Sequence, residues 1–389
     1  MPTQAFELAN QAKWSYQLGV DHWHLRPSVA QDTLPNYLEE NANLLLANSH
    51  TKLKYQDTSA WGRLIGAQQL TNTLSISTKI RADQTVGLRL DEAQIQKDIS
   101  PALMVRAGVV DYKTSWCRSY EPNNGWIQEI EAICHTPQFR DVTGGAPGLQ
   151  ILTRQTWGER YALQSQLGLY RPLYLHYAPK EFGNLVPSPN FQVKSNHKTG
   201  LNFSVIDLYS GAEIRLTYIQ SQQAAYLPEP QLAGQYKLGS DTLYVGFGLP
   251  LNDNLHVRFT HLQLWQTGVC KSPVAVIGSA CNLNLRSDKS STALEVAYRW
   301  RGAHLLSAGL GHTRFDTQQD FFTPAWDVYS VALPLTIDTK QSAVAWRTDW
   351  GQGIFTVVQF IRSQQVSGYR GNDYPSHGHA VGMRLGYLY

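Results

Sequence analysis

The large apolar residues at the end of the chain recur at every second position. In the last eleven residues, from His379 to Tyr389, the apolar positions are Val381, Met383, Leu385, Tyr387 and Tyr389, and only Leu388 departs from the alternation. A β-strand turns successive side chains to opposite faces, so this segment predicts a strand with one broad apolar face and one thin polar face. Five apolar positions are about the length that crosses a bilayer core in a tilted strand. A strand of a soluble sandwich can show the same pattern, but a chain terminus that ends on such a strand is rare, because termini usually fray.

Alternation of this kind runs through the whole chain, and helical periodicity of any length is absent. Candidate strands lie near residues 14–20, 44–55, 61–69, 74–82, 86–90, 103–109, 149–157, 161–171, 201–209, 212–221, 232–238, 242–249, 255–265, 292–300, 303–313, 326–335, 341–350, 354–363 and 379–389. Short turns such as Ser210-Gly211, Gly239-Ser240 and Gly351-Gln352-Gly353 join many of them, and long loops are predicted at 114–147, 266–291, 315–325 and 364–376. Many strands joined alternately by tight turns and long loops are typical of a transmembrane barrel, here of about 16 strands (16–18). Long loops on one side must be separated by an even number of strands, but three candidates lie between 315–325 and 364–376. Either one of these strands is wrong, or one long connection is on the periplasmic side.

The final segment resembles the closing strand of Gram-negative outer-membrane β-barrels, which typically ends on an aromatic residue with apolar residues alternating upstream. The resemblance implies an all-β fold, a closed transmembrane antiparallel β-barrel, and a location in the outer membrane of a Gram-negative bacterium. Residues 1–13 would be an N-terminal lead and 14–389 a single barrel. Val381, Met383, Leu385, Tyr387 and Tyr389 would form the signal for the barrel-assembly machinery, and the outer face would contact outer-membrane lipid and lipopolysaccharide.

The composition agrees with a barrel and excludes several other classes. The chain of 389 residues has 42% hydrophobic residues and a mean hydropathy of −0.32, which looks soluble, but half of each strand in such a barrel faces a wet lumen. No apolar run approaches the length of about 18 residues that suggests a spanning helix. The 20 Tyr and 11 Trp favour membrane interfaces; an aromatic-rich carbohydrate-binding protein or propeller is the alternative, although no fixed repeat supports a propeller. A net charge of +3 is too small to indicate nucleic acid, and the first residues show no secretory signal.

The 4 Cys residues fall into two local pairs in loop-like stretches. They are not in a CxxC arrangement, which argues against zinc, and we predict the disulfides Cys117–Cys134 and Cys270–Cys281, formed in the periplasm. No metal and no cofactor are expected. His22 with His24, and His377 with His379, share a strand face, but no third ligand accompanies either pair.

If the apolar positions face lipid, the alternate positions line the lumen, and basic residues dominate them. The predicted pore-lining basic residues are Lys79, Arg81, Arg89, Arg106, Arg215, Arg299, Arg347 and Arg384, against the inward acids Asp21, Glu213, Glu295 and Asp349. A basic side chain on the lipid face costs about 2–4 kcal/mol near the midplane, so confinement to the lumen is expected in any barrel, but the surplus over acids is not. The loop at 114–147 carries the acids Glu121, Glu129, Glu131 and Asp141. A basic wall facing an acidic loop is similar to the eyelet of general porins, and the resemblance implies a constriction that selects ions.

The sequence therefore predicts a porin-like channel for passive diffusion of small polar or anionic solutes, as a homotrimer or a monomer. Loop aromatics (Trp116, Tyr120, Trp126, Tyr369 and Tyr374) leave room for saccharides. No nucleophile motif accompanies His261 or His312, and Gly144-Gly145-Ala146-Pro147-Gly148 lacks the Lys of a phosphate loop, so no enzyme is predicted. One alternative is a plugged barrel that acts as a scaffold for a surface partner or as a polymer outlet, with residues 1–43 as the plug. The other is a secreted, soluble all-β binding protein.

Overall fold

In the computed structural model of the protein, sixteen β-strands form one closed barrel. The structure describes residues 13–28, 56–83, 87–110, 146–171, 192–226, 235–271, 283–321, 335–369 and 372–388. The strands are β1 (Lys13–Ser28), β2 (Gln56–Thr71), β3 (Leu74–Asp83), β4 (Gly87–Ser100), β5 (Leu103–Val110), β6 (Ala146–Trp157), β7 (Tyr161–Tyr170), β8 (Gln192–Asp207), β9 (Glu213–Tyr226), β10 (Gln235–Pro250), β11 (Leu255–Lys271), β12 (Leu283–Trp300), β13 (His304–Phe321), β14 (Leu335–Gly351), β15 (Ile354–Tyr369) and β16 (Asn372–Leu388). Each strand pairs antiparallel with its neighbours in sequence, and β1 pairs with β16 to close the barrel. The predicted fold class and strand number are confirmed.

The two ends of the barrel differ in their connections. At one end the strands are joined by tight turns, such as 72–73, 101–102, 301–303 and 352–353, and the start of β1 and the end of β16 lie there too. At the other end are the connections 29–55, 111–145, 171–191, 227–234, 272–282 and 322–334, together with two short ones at 84–86 and 370–371. Two strands, β14 and β15, separate 322–334 from 370–371, so the sidedness conflict in the predicted strands disappears.

Alternation along each strand separates an apolar outer face from an inner face. In β16, Met383 and Leu385 are 57% and 55% exposed on the outside, whereas Ala380 is 6% exposed on the inside. The outer face forms an apolar belt around the barrel, with side chains such as Trp346, Phe360 and Leu310 pointing away from it. Among the described residues no helix is long and apolar enough to span a membrane.

Several strands extend well past the apolar belt toward the end with long connections. Strands β11 to β14 have 17 or 18 residues each, and their outer face becomes polar near that end, for example at His312 and Lys340. Both faces are polar there, so the alternation fades and the sequence looks like a loop. The bounds predicted for the loops at 266–291, 315–325 and 364–376 are wrong for this reason, because β11 continues to Lys271, β13 to Phe321, and β15 and β16 leave only 370–371 between them.

Two further assignments are corrected by the pairing. The predicted turn at Gly239-Ser240 is wrong, because both residues lie inside β10 and pair with β9 and β11. Strand β4 continues to Ser100 through a β-bulge, where the pairing with β3 shifts between Lys79 and Ile80. A bulge adds one residue and reverses the alternation. Leu88 and Leu90 therefore face outward before it, and Ile95 and Ile99 after it.

Candidate functional site

A row of arginines crosses three neighbouring strands at one height. Arg63 of β2 is directly opposite Arg81 of β3, and Arg81 is directly opposite Arg89 of β4. Directly opposite residues of antiparallel strands share a face, and Arg63 is on the inner face, 6% exposed. The structure describes the backbone of Arg81 and Arg89 but not their side chains. Like charges directly opposite one another destabilise a sheet, so the stability of the fold does not explain this row.

Arg63 is absent from the predicted set, because β2 is irregular in its alternation. Trp61 lies on the inner face of this strand and is 7% exposed, while the outward positions include Gly62 and Gly66. The hydrophobic pattern of the segment consequently does not show which face is inside. The signal that identifies Arg63 is its register with Arg81, which only strand pairing provides.

Lys79 lies beside the row on the inner face of β3, 9% exposed, opposite Glu92 across the bulge. Glu92 accepts hydrogen bonds from Ser77 and from the side-chain amide of Gln94, the latter at 2.8 Å. The predicted inward position of Lys79 thus has a carboxylate on the neighbouring strand, which lowers the net positive charge at this point of the wall.

Arg106 of β5 is half-buried on the same wall. Its Nε donates to Oε1 of Gln96 at 2.8 Å, and Gln96 in turn donates to Asp98 at 3.0 Å. Arg154 of β6 occupies the same face, so a further cation stands near Arg106. The inner wall formed by β2 to β6 is therefore rich in guanidinium groups.

Arg384 of β16 continues this wall across the point of closure. Its guanidinium lies 5.7 Å from the centre of the Trp61 ring, a cation–π contact, and its backbone is opposite Asp21 of β1. A side chain at Gly19 would overlap the Trp61 ring, so this position has room only for a glycine. Trp61 is thereby packed between β1 and Arg384.

On the other strands three inward arginines are paired with acids. Arg215 contacts Glu213 at 2.6 Å, Arg347 contacts Asp349 at 2.7 Å, and Arg258 forms a buried pair with Glu295. Arg299 is exposed close to the turn at 301–303. Of the predicted inward acids, Glu213, Glu295 and Asp349 each neutralise one arginine, while the side chain of Asp21 is not described. Three arginines on these strands are therefore neutralised, whereas Arg299 and Lys289 of β12 keep positive charge on its inner face.

The inner wall also carries an apolar cluster at the ends of the connection 111–145. Val110, the last residue of β5, and Ala146, the first of β6, pack with Tyr170 and Ile219. Gln150 donates to the hydroxyl of Tyr170 at 2.9 Å. Both ends of the connection are thus fixed on the inside of the barrel.

Comparison with known proteins gives a match at the level of structure only. No protein-family model matches the sequence, and no characterised protein matches it in sequence either. OmpT of Vibrio cholerae in its trimer form matches with a TM-score of 0.55 at 8% identity, over 97% of this chain and 99% of that one. The anion-selective porin from Comamonas acidovorans matches with a TM-score of 0.51 at 10% identity, over 97% of this chain and 99% of that one.

The fold is that of an outer-membrane β-barrel. The identities are too low to transfer a substrate or a residue role from either protein. In a barrel of this fold the apolar belt faces lipid, and the inner face that carries Arg63 faces the lumen. The predicted localisation follows from this fold and from the belt.

Several predicted sites of this outer-membrane barrel lie outside the described residues. They are the loop acids Glu121, Glu129, Glu131 and Asp141, the cysteines Cys117, Cys134 and Cys281, the lead 1–12 and Tyr389. Cys270 is within β11, but its side chain is not described. The two disulfides therefore stay predictions. Among the described residues no group of three His, Cys, Asp or Glu side chains could hold a metal ion.

Proposed function

We propose that this barrel is a porin-like channel for passive diffusion of small polar solutes, with a preference for anions. The observation that carries the proposal is the register of Arg63, Arg81 and Arg89, which puts three cations side by side on one wall. Rings and ladders of fixed charge select permeant ions of the opposite sign. The paired arginines of the other wall contribute little net charge. The electric field across the lumen therefore points from the arginine row toward the opposite wall.

The segment 114–147 supplies the opposing wall of a constriction in this proposal. Its ends are fixed inside the barrel by Val110 and Ala146. Tyr244 and Leu262, on the inner face of β10 and β11, are fully buried, although an open lumen of sixteen strands would expose apolar side chains on its wall to water. This burial supports a lumen that is narrowed along β10 and β11. The acids Glu121 and Glu129 would then face the arginine row, and the channel would function as a homotrimer or a monomer.

The test is conductance of the detergent-purified protein in a planar bilayer with a salt gradient. We expect stable open steps and a reversal potential of the sign that indicates anion preference. A cation-selective channel would refute the role given to the arginine row. Replacement of residues 121–140 by a short Gly-Ser linker should raise the single-channel conductance, because it removes the narrowing segment.

A plugged barrel that serves as a scaffold is the second candidate, and the buried inner wall at Tyr244 and Leu262 is the observation that favours it. The same experiment separates the two functions. The predicted plug of residues 1–43 is wrong for 13–28, because this stretch is β1 of the barrel wall. Folded protein without conductance, from which the linker variant regains open steps, would show that the segment 114–147 is a plug and not a constriction.

A further inference from the structure

The outer face of β14, β15 and β16 carries a group of basic side chains immediately above the apolar belt. Arg362 of β15 is directly opposite His379 of β16, and Arg26 of β1 is directly opposite His379 on the other side. Lys340 of β14 lies one row nearer the long connections, next to Arg362. Lys340, Arg362 and His379 are all exposed on the outer face. We call Lys340, Arg362, His377 and His379 the outer basic patch.

Two carboxylates are on the same face as the outer basic patch, Asp338 of β14 and Asp373 of β16. Asp338 is on the same face two residues from Lys340, but its carboxylate is engaged by Nε2 of His312 at 2.8 Å. Within the described part of the chain neither Lys340 nor Arg362 forms an ion pair. Basic groups in adjacent rows of a sheet repel one another, so an anion that contacts several of them would be bound favourably.

The height of the outer basic patch on the barrel indicates what kind of anion it meets. The next row toward the membrane consists of Val344, Phe360 and Val381, which are 48%, 47% and 39% exposed. Rows of one face are separated by about 7 Å along a strand, so the cations are at the height where acyl chains end and headgroups begin. The phosphate of a lipid headgroup could contact the cations while its acyl chains cover the apolar row.

We infer that the outer basic patch is a binding site for the phosphate of an outer-leaflet lipid. The Arg362 guanidinium would donate two parallel hydrogen bonds to phosphate oxygens, Lys340 would add a point charge, and His379 would contribute a ring N–H. The long connections mark the outer surface of such barrels, so the site faces the leaflet that holds phosphorylated glycolipid. This inference depends on the outer-membrane location and not on channel activity, so its failure leaves the proposed conductance unaffected.

The experiment is a titration of the detergent-solubilised, folded barrel with diphosphoryl lipid A and with its dephosphorylated form, followed by native mass spectrometry. We expect the phosphorylated lipid to bind more tightly, and the variant Lys340→Gln/Arg362→Gln to weaken its binding by about tenfold or more. Binding of the dephosphorylated lipid should not change. Arg362→Lys should retain part of the affinity, because it keeps the positive charge. It should not retain all of it, because lysine lacks the two parallel N–H donors of the guanidinium.

The matched control is Lys237→Gln, which removes an exposed cation from β10 on another side of the barrel. It should leave lipid binding within about twofold of the wild type. Equal binding of the two lipids, or an unchanged affinity of the double variant, would overturn the inference. So would competition by millimolar inorganic phosphate, which indicates a simple anion site, or loss of an oligomer in the double variant, which indicates a subunit contact. A gel-shift assay for heat-modifiability checks that each variant is folded.

Discussion

Removal of one charge from the arginine row is the sharpest test of the proposed selectivity. Arg63→Gln is the first variant, because the side chain of Arg63 is described, lies on the inner face and is flanked in register by Gln17 and Arg81. Glutamine is shorter than arginine but stays polar and keeps an N–H donor, so the change removes the charge and leaves part of the hydrogen-bonding capacity. We expect the preference for anions to fall.

The expected magnitude follows from the spacing of the wall. Directly opposite residues are about 5 Å apart, so the row of three arginines spans roughly 10 Å, and an ion passing it comes within about 7 Å of each guanidinium. At that distance a unit charge contributes about 0.6 kcal/mol in water. An anion loses this stabilisation and a cation loses the matching repulsion, so the permeability ratio should change by about sevenfold. Screening is weak at low salt, where the Debye length is about 30 Å at 0.01 M.

The assay is the reversal potential in a KCl gradient whose dilute side is near 0.01 M. Arg63→Gln, Arg81→Gln and Arg89→Gln should each move the potential toward zero, and the triple variant should move it further. The control is Arg286→Gln, which makes the same substitution on the outer face of β12 and should leave the potential unchanged. If no variant of the row shifts the potential, permeating ions do not pass the row and the reasoning is refuted.

Three other predictions concern the belt, a buried pair and a turn. Phe360→Arg places a cation in the apolar belt and should destabilise the barrel by about 2–4 kcal/mol in urea unfolding, whereas the same change at Gln364, above the belt, should cost little; equal effects would refute the assigned height of the belt. Arg258→Met leaves Glu295 without its partner and should lower the free energy of unfolding by about 3 kcal/mol, and Arg258→Met/Glu295→Met should recover most of the loss; a double variant as unstable as the single one would contradict this. At the short-turn end, hydrogen bonds from Arg160 lower the pKa of Asp207 to about 2, so the stabilisation by this carboxylate is complete above its ordinary value of 3.8 and is lost as the pH falls through about 2. Arg160→Ala should raise the pKa of Asp207 toward 3.8 in an NMR titration, and an unchanged pKa would show that another group holds it.

The sequence predicts the barrel well where one face of a strand is apolar and the other polar. Within the belt this condition holds, so the final strand follows from the alternation of Val381, Met383 and Leu385. Above the belt both faces are polar, and the extensions of β11, β13 and β15 carry no periodic signal. In β4 the outer face is apolar, but the bulge interrupts the alternation. Leu90 and Ile95 both face outward although they are an odd number of residues apart, so the sequence does not show one continuous strand.

The candidate site could be predicted only in part. Strand alternation identifies Lys79 and Arg106 as inward residues, and the structure finds both on the inner face. The row itself depends on which residue of β2 pairs with Arg81. The hydrophobic pattern of one strand does not determine its register with the next strand. The neutralisation of Arg258 by Glu295 is hidden for the same reason, because the two residues meet only across β11 and β12.

The contact between β1 and β16 has a consequence for how the molecule can form. Every other strand pairing joins neighbours in sequence, whereas this one joins the two extremes of the chain, from Gln17 with Leu388 to Ser28 with His377. Before it forms, an incomplete barrel has two open edges whose N–H and C=O groups have no partner, and such edges are tolerated neither in lipid nor for long in water. Intermediates in which β1 and β16 are not yet paired are therefore stable neither in water nor in the membrane. A variant that weakens only the pairing of β1 with β16 should accumulate in aggregates or be degraded. It should not persist in the membrane as an incompletely closed barrel.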